Sequence, residues 1–412
     1  MTRRSWTAAI AAIVLMMCSL SFAAKEVKPA AAKPAPAAPA PAAAPAPAAA
    51  APVKAAEPIK IGAIFAVTGP AANLGAPEEK TAQMLVDEIN AKGGIKGQKL
   101  QLIIKDSQGK PENAVSFAKQ LIEEEKVFAI IGPSTTGETM QIKSICDSGK
   151  TILISCAAAE VIVNPLAKYV FKTPQKDSDA ARKIFMALNK LKIDKIAVTS
   201  SNTGFGKAGK EQLEKIAPEY KITVAISEVY EKDATDLTGV LTKIKAANVG
   251  AIVNWSIEPA QAILAKNMKQ LGFKIPLFQS HGFGNIKYVQ AAGEAADGII
   301  FPAGRLLVAG VLPKDHPQKA LLEKYKADYE AKYKEDVSTF GGHAYDAITI
   351  LAKAIEIAGA DKEKVCAAIE GLKGFVGTAG VFNFSATDHN GLDINAFEML
   401  TVKGQKFVLY TN

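Results

Sequence analysis

Residues 195–209, KIAVTSSNTGFGKAG, run from an apolar strand-like segment (Lys195 to Ser200) through a polar turn into a helical pattern that opens on glycines. This is one β-α unit, and Gly204, Gly206 and Gly209 satisfy G-x-G-x-x-G. Glu228 closes the next strand-like run, ITVAISEV, near the offset of about 20 residues at which an acid meets the ribose of a bound dinucleotide. The reading this raises first is the phosphate-binding turn of an NAD-dependent enzyme. In such a turn the leading Gly follows its strand almost directly, whereas Ser201, Asn202 and Thr203 intervene here.

The same alternation extends in both directions. Upstream, strand-like runs at 59–67, 99–104, 128–132 and 151–155 are separated by helical patterns from about Glu78 to Ala91, Pro111 to Glu124 and Thr136 to Ser148. After Thr173-Pro174 the cycle restarts with a helix over about Asp177 to Leu191. The strands IAVTS, ITVAISEV and AIVNW follow, then Pro276 to Ser280 and a strand around Gly298 to Phe301, with helices at 206–216, 237–247 and 259–271. Helices at about 316–333, 340–358 and 362–371 come next, followed by short strands in which Asn390-Gly391 is a hairpin signal. Alternation of this kind specifies α/β architecture with parallel sheets, and its repetition specifies two similar lobes.

Residues 1–23 read as a signal peptide: Arg3 and Arg4, an apolar run from Ala8 to Met17, and the small-x-small ending Ser21-Phe22-Ala23. The expected location is therefore the periplasm. Lipid anchoring at Cys18 is the alternative, although Met17 precedes it where a small residue belongs. Residues 24–58 are almost all Ala and Pro and read as an extended linker. Net charge is +8, of which Arg3 and Arg4 contribute two; the lysines are scattered along helices, which favours a solvated basic surface over a nucleic-acid partner. Cys146, Cys156 and Cys366 remain after export, and their default reading is as small buried hydrophobes, with a Cys146–Cys156 disulfide as the alternative.

Enzyme motifs fail in turn. His281, His316, His343 and His389 lack zinc spacing, Gly132 to Gly137 (GPSTTG) does not satisfy G-x-S-x-G, and the D-x-N-G-x-D run at Asp388 lacks the terminal Glu of an EF-hand. No metal, cofactor or enzymatic activity is expected. GPSTTG reads better as a Ser134-Thr135-Thr136-Gly137 turn that presents its hydroxyls and free N–H groups to a small anion at a helix N-terminus. An ordinary N-cap accounts for one of those hydroxyls without any ligand.

The segments IKIGAIFAVTG (59–69), GPAANLG (69–75), DEINAKGGIKG (87–97), Ile131-Gly132-Pro133 and Ala344-Tyr345-Asp346-Ala347 resemble the leucine/branched-chain amino-acid-binding proteins, the type I periplasmic solute receptors of ABC importers. The resemblance spans Ile59 to the C-terminus. It implies a type I periplasmic-binding-protein fold, two Rossmann-like lobes joined by three hinge crossings and closing on one solute, with a membrane permease as partner. The crossings would fall near Thr173-Pro174, Pro302-Ala303 and Phe384 to Gly391. The lobes would be 59–174 plus 303–385 and 175–302 plus 386–412. An exported ligand-sensing regulator of the same fold is the alternative role.

The resemblance also implies a site. A ligand carboxylate would meet Thr136 and the backbone of Ala157, Ala158 and Ala159, while Phe205 and Phe340 supply apolar walls. The departures are informative: Leu74 and Ile257 stand where family members commonly have Tyr, Ala159 where they have Thr, and His281 where an acid holds the ligand ammonium. Histidine cannot hold an ammonium as a carboxylate does. The expected solute is therefore a small amino acid or, given these changes, an apolar or aromatic carboxylate that needs no α-ammonium. A structural His281 turned away from the cleft is the competing reading.

Overall fold

The computed structural model describes residues 25–35 and 57–411. The signal segment, Cys18 and most of the Ala/Pro linker lie outside the described residues; 25–35 are exposed and carry neither helix nor strand.

In the first lobe, β1 (Ile59–Phe65), β2 (Leu100–Asp106), β3 (Ala129–Ile131), β4 (Ile152–Ser155) and β5 (Val170–Lys172) form a parallel sheet in the order β2-β1-β3-β4-β5. Helices α1 (Ala72–Ala91), α2 (Pro111–Lys119) and α3 (Thr136–Ser148) connect the first four strands. The second lobe repeats the plan with α4 (Asp177–Lys190), β6 (Lys195–Ser201), α5 (Gly204–Ile216), β7 (Thr223–Tyr230), α6 (Thr238–Ala246), β8 (Ala251–Trp255), α7 (Ala260–Gln270), β9 (Leu277–Gln279), α8 (Ile286–Ala292) and β10 (Ile300–Ala303). Its order, β7-β6-β8-β9-β10, is the topology of the first sheet. Runs such as ILIS and AIVNW are buried on both faces, as parallel strands under two helical layers must be.

The chain then returns. Along α10 (Thr339–Ala358), Ala344, Ala347, Ile348 and Leu351 join Ile61 and Phe65 in the first core, and on α9 (Lys319–Tyr333) Leu322 and Tyr325 pack with Met84. After α11 (Lys362–Glu370) and the small hairpin of β11 (Phe375–Val376) and β12 (Val381–Phe382), the chain reaches β13 (Glu398–Lys403) and β14 (Lys406–Leu409). These last strands add antiparallel to β10 at the edge of the second sheet.

Several details differ from the sequence expectation. α1 begins at Ala72, not Glu78, with Pro77 inside it. Pro77 has no N–H for the carbonyl four residues earlier, so the Asn73 oxygen is free to accept a bond from outside the helix. α5 begins at Gly204 because the Thr203 hydroxyl caps it, accepting from the Gly206 N–H at 3.2 Å. Asn390-Gly391 is not a hairpin turn: Asn390 Nδ2 donates to the Pro174 carbonyl at 2.8 Å, which ties the last connection to the first. Ala396 packs in the first core and Phe397 in the second, so core membership puts that last passage between them, after Phe384 and Leu392. Cys146, Cys156 and Cys366 are free thiols; Cys146 and Cys156 belong to different cores, so no disulfide joins them.

Candidate functional site

Both sheets reverse their order of assembly after the second strand, and ligands of open α/β sheets bind outside the carboxyl ends of the strands at that point. The loops after β1, β3 and β4 face those after β6, β8 and β9 across a closed cleft. The lobes touch at its rim: a Cβ on Gly204 would sit 3.0 Å from the Gly137 Cα, and Asn285 Nδ2 donates at 2.8 Å to the Asn73 carbonyl freed by Pro77.

Between the lobes lies a chamber of about 20 Å³, room for roughly one water. Leu74, Thr136, Ala157 and Ala158 line it from the first lobe, Phe205, Ile257 and His281 from the second, and Phe340 from the start of α10. Two of the named residues fall elsewhere. Ala159 is fully buried and is not among the residues that line the chamber, its carbonyl bonded to the Ile162 N–H. Thr135 lines an outer cleft of about 300 Å³ with Gln108, Asn202, Lys232 and Glu258. Phe205 and Ile257 line both spaces and so stand between them.

The two threonines divide the competing roles. Thr135 is the N-cap of α3: its Oγ1 accepts from the Glu138 N–H at 3.3 Å and donates to the Glu138 carboxyl at 2.6 Å. Its hydroxyl is thus spent on the helix. Thr136 Oγ1 is buried, lines the chamber and has no protein partner.

His281 faces the chamber. Its ring is boxed by the edges of Phe205, Trp255 and Phe397, with centroids 5.4, 5.5 and 5.6 Å away, and neither ring nitrogen has a protein partner. Burial, with help from the Lys172 ammonium and then His343, pulls its pKa down to about 3, so the ring is neutral at ordinary pH. His343 reaches the chamber from the opposite lobe, one helical turn after Phe340, with Nδ1 unpartnered and its pKa also lowered to about 3 by burial and Lys172. Lys172 is fully buried and donates to the Pro174 and Gln175 carbonyls at 2.6 and 3.2 Å. Burial lowers its pKa to about 7, against the pull of Asp177.

Sequence reasoning missed His343, Cys156, Pro174 and Gly282 as lining residues, and had Ser134 only as one hydroxyl of the turn. His343 carried a usable signal, its three-residue spacing from Phe340 on one helix. Ser134 was visible within GPSTTG, but nothing local separated it from its threonine neighbours.

The G-x-G-x-x-G glycines serve packing. A Cβ on Gly206 would sit 2.0 Å from the Ser201 carbonyl oxygen, and one on Gly209 would sit 2.1 Å from Trp255 Nε1. Glu228 pairs with Lys243 at 2.9 Å.

A family model described as "Periplasmic binding protein" matches residues 58–406. The leucine-, isoleucine-, valine-, threonine- and alanine-binding protein of Pseudomonas aeruginosa is 29% identical over 319 residues, covering 76% of this chain and 82% of that protein. An extracellular ligand-binding receptor from Rhodopseudomonas palustris superposes with a TM-score of 0.81 at 26% identity, covering 86% of this chain and 99% of that one. A branched-chain amino acid transporter substrate binding protein from Streptococcus pneumoniae, solved with isoleucine, superposes with a TM-score of 0.75 at 28% identity, covering 85% and 97%.

Proposed function

The chain belongs to the periplasmic binding protein family, and from that premise we propose that it is the extracytoplasmic receptor of an ABC importer, closing its lobes on a small carboxylate with an apolar or aromatic body. The type I fold and the named relatives support the receptor role. The lining of the chamber supports the ligand class. It offers Thr136 Oγ1 and two neutral histidines, with buried Lys172 biasing the local potential positive.

No carboxylate lines the chamber among the described residues. Glu258 lies on the outer side of Ile257, with Oε2 accepting from Ser256 Oγ at 2.7 Å and from the Ile257 N–H at 3.1 Å. An α-ammonium brought into the chamber would lose water without gaining an anion, which costs more than the apolar contacts return. A carboxylate would gain hydrogen-bond donors and a favourable field. Because the chamber is far smaller than such a ligand, binding requires the lobes to part and re-close around it.

The deciding measurement is calorimetric titration of the refolded protein with 4-methylpentanoate, which is leucine's skeleton without the amine, and with leucine. Binding by the acid and a flat isotherm with leucine is the expected result. Tight leucine binding with none by the acid would falsify the ligand class while leaving the receptor role intact.

A further inference from the structure

We propose that Glu78 is a positioning residue: held as a neutral carboxylic acid, it obliges Ser134 to donate its hydroxyl proton into the chamber, where it recognises the ligand carboxylate. The inference rests on the receptor reading above and assigns a role to two residues that reading does not use.

Glu78 lies on α1, fully buried, and no cation among the described residues pairs with it. Its Oε2 is hydrogen-bonded to Ser134 Oγ, and its Oε1 has no protein partner. Ser134 Oγ also accepts from the Ala66 N–H at 3.0 Å, and the residue lines the chamber. A hydroxyl has two lone pairs and one proton. Ala66 occupies one lone pair. If Glu78 were ionised, the proton would go to Glu78 and Ser134 would offer the chamber only an acceptor.

An ionised carboxylate buried with one donor and no cation is costly. The groups facing Glu78 make it more so: the Glu138 carboxyl on α3 repels its charge, and the Cys156 thiol beside it is itself held neutral by burial. Burial lifts the Glu78 pKa well above the carboxylate range, Glu138 adds to the rise, and the Ser134 bond only partly offsets it. In the neutral acid a proton on Oε1 would have no acceptor, so it sits on Oε2 and fills the second lone pair of Ser134, reversing the Ser134-to-Glu78 direction that an ionised carboxylate imposes. The hydroxyl proton then has the chamber as its remaining direction. With Thr136 beside it, the first lobe presents hydroxyl donors, a surface that accepts a carboxylate and disfavours a donor such as an ammonium.

The test uses the full chain. An infrared difference spectrum of wild type minus Glu78→Gln at neutral pH should show a protonated-carboxyl C=O band that the variant lacks; an ionised-carboxylate band in its place overturns the proposal. The calorimetric titrations are then repeated on the variants with whichever of 4-methylpentanoate and leucine binds wild type, since both carry a carboxylate. Glu78→Gln, whose amide donates to Ser134 as the acid does, should bind within about threefold of wild type. Ser134→Ala should lose roughly ten- to hundredfold, the worth of a hydrogen bond to a charged group. Ser134→Cys, a weaker donor of similar shape, should fall between, which separates a donor role from a purely structural one. Affinity within about twofold of wild type in Ser134→Ala overturns the proposal. Failure of the receptor reading looks different: a flat wild-type titration with both probes, whatever the infrared band shows.

Discussion

His281 is buried among three aromatic edges with both ring nitrogens free of protein partners. Aromatic surroundings and a nearby ammonium make the charged ring costly, and the pKa falls from 6.5 to about 3. Between those two values the unfolded chain binds a proton that the folded protein refuses, so this residue's contribution to stability is complete above pH 6.5 and is lost as the pH falls toward 3. Asp346 and Asp177, whose pKa values burial raises to about 7 and about 6, act in the opposite sense, losing their contribution as pH rises through those values. The His281 share is therefore read by difference. Urea unfolding at a series of pH values should show wild type losing, relative to His281→Gln, a few kcal/mol between pH 6.5 and 3. A difference that does not change with pH would mean that the ring is already charged or solvated in the folded state. The proposed ligand class makes a second prediction at this position. His281→Glu puts an anion where the chamber has none, and calorimetry should show leucine gaining at least about tenfold over 4-methylpentanoate, about 1.4 kcal/mol.

At the scale of elements, α1 carries the least expected feature. Pro77 leaves the Asn73 carbonyl without its helical donor, and Asn285, at the start of α8 in the other lobe, supplies one. Asn285 has two tasks, because its Oδ1 also accepts from the Lys287 N–H at 3.0 Å as the cap of α8. Asn285→Asp keeps the cap acceptor and removes the donor, so it separates them. Denaturation should shift little, while ligand affinity should fall by about 1 kcal/mol as the closed arrangement loses a bond. A large fall in stability with unchanged affinity would instead assign Asn285 to the cap alone. The strands and most helices were legible in the sequence because buried parallel strands and amphipathic helices have different periods. Pro77 was not, since a proline marks a helix start as readily as it sits inside a first turn or two. Asn390-Gly391 misled for a related reason: the dipeptide reports a local conformation, here a Gly391 φ of +68°, without saying which two segments it joins. Leu74, Phe205, Ile257 and Phe340 could be placed at the chamber because the family resemblance carries over to those positions. His343 and Ser134 depend on which neighbours occupy the remaining hydrogen-bonding groups, and only the tertiary structure determines that.

At the largest scale, residues 59–409 hold two copies of one topology facing each other, so the cleft exists only as far as the lobes close. Their rim contact is narrow at the N-termini of α3 and α5, where Gly137 and Gly204 meet without side chains. Gly204 has no need of a left-handed backbone, so a larger residue there is opposed by the facing lobe and not by its own conformation. Gly204→Trp should consequently act as a wedge, leaving each lobe folded while holding the cleft apart. In solution scattering its radius of gyration should exceed that of wild type both with and without ligand, and its thermal unfolding should remain cooperative. Affinity should drop by at least about tenfold, because an opened cleft makes its contacts from one lobe at a time. Gly209→Ala provides the contrast: its Cβ would press on Trp255 inside the second core, so it should lower stability by about 1–3 kcal/mol without changing the scattering profile of the folded protein. If Gly204→Trp bound like wild type and scattered like it, the rim contact would be incidental, and closure would have to be governed by the three lobe connections behind the chamber.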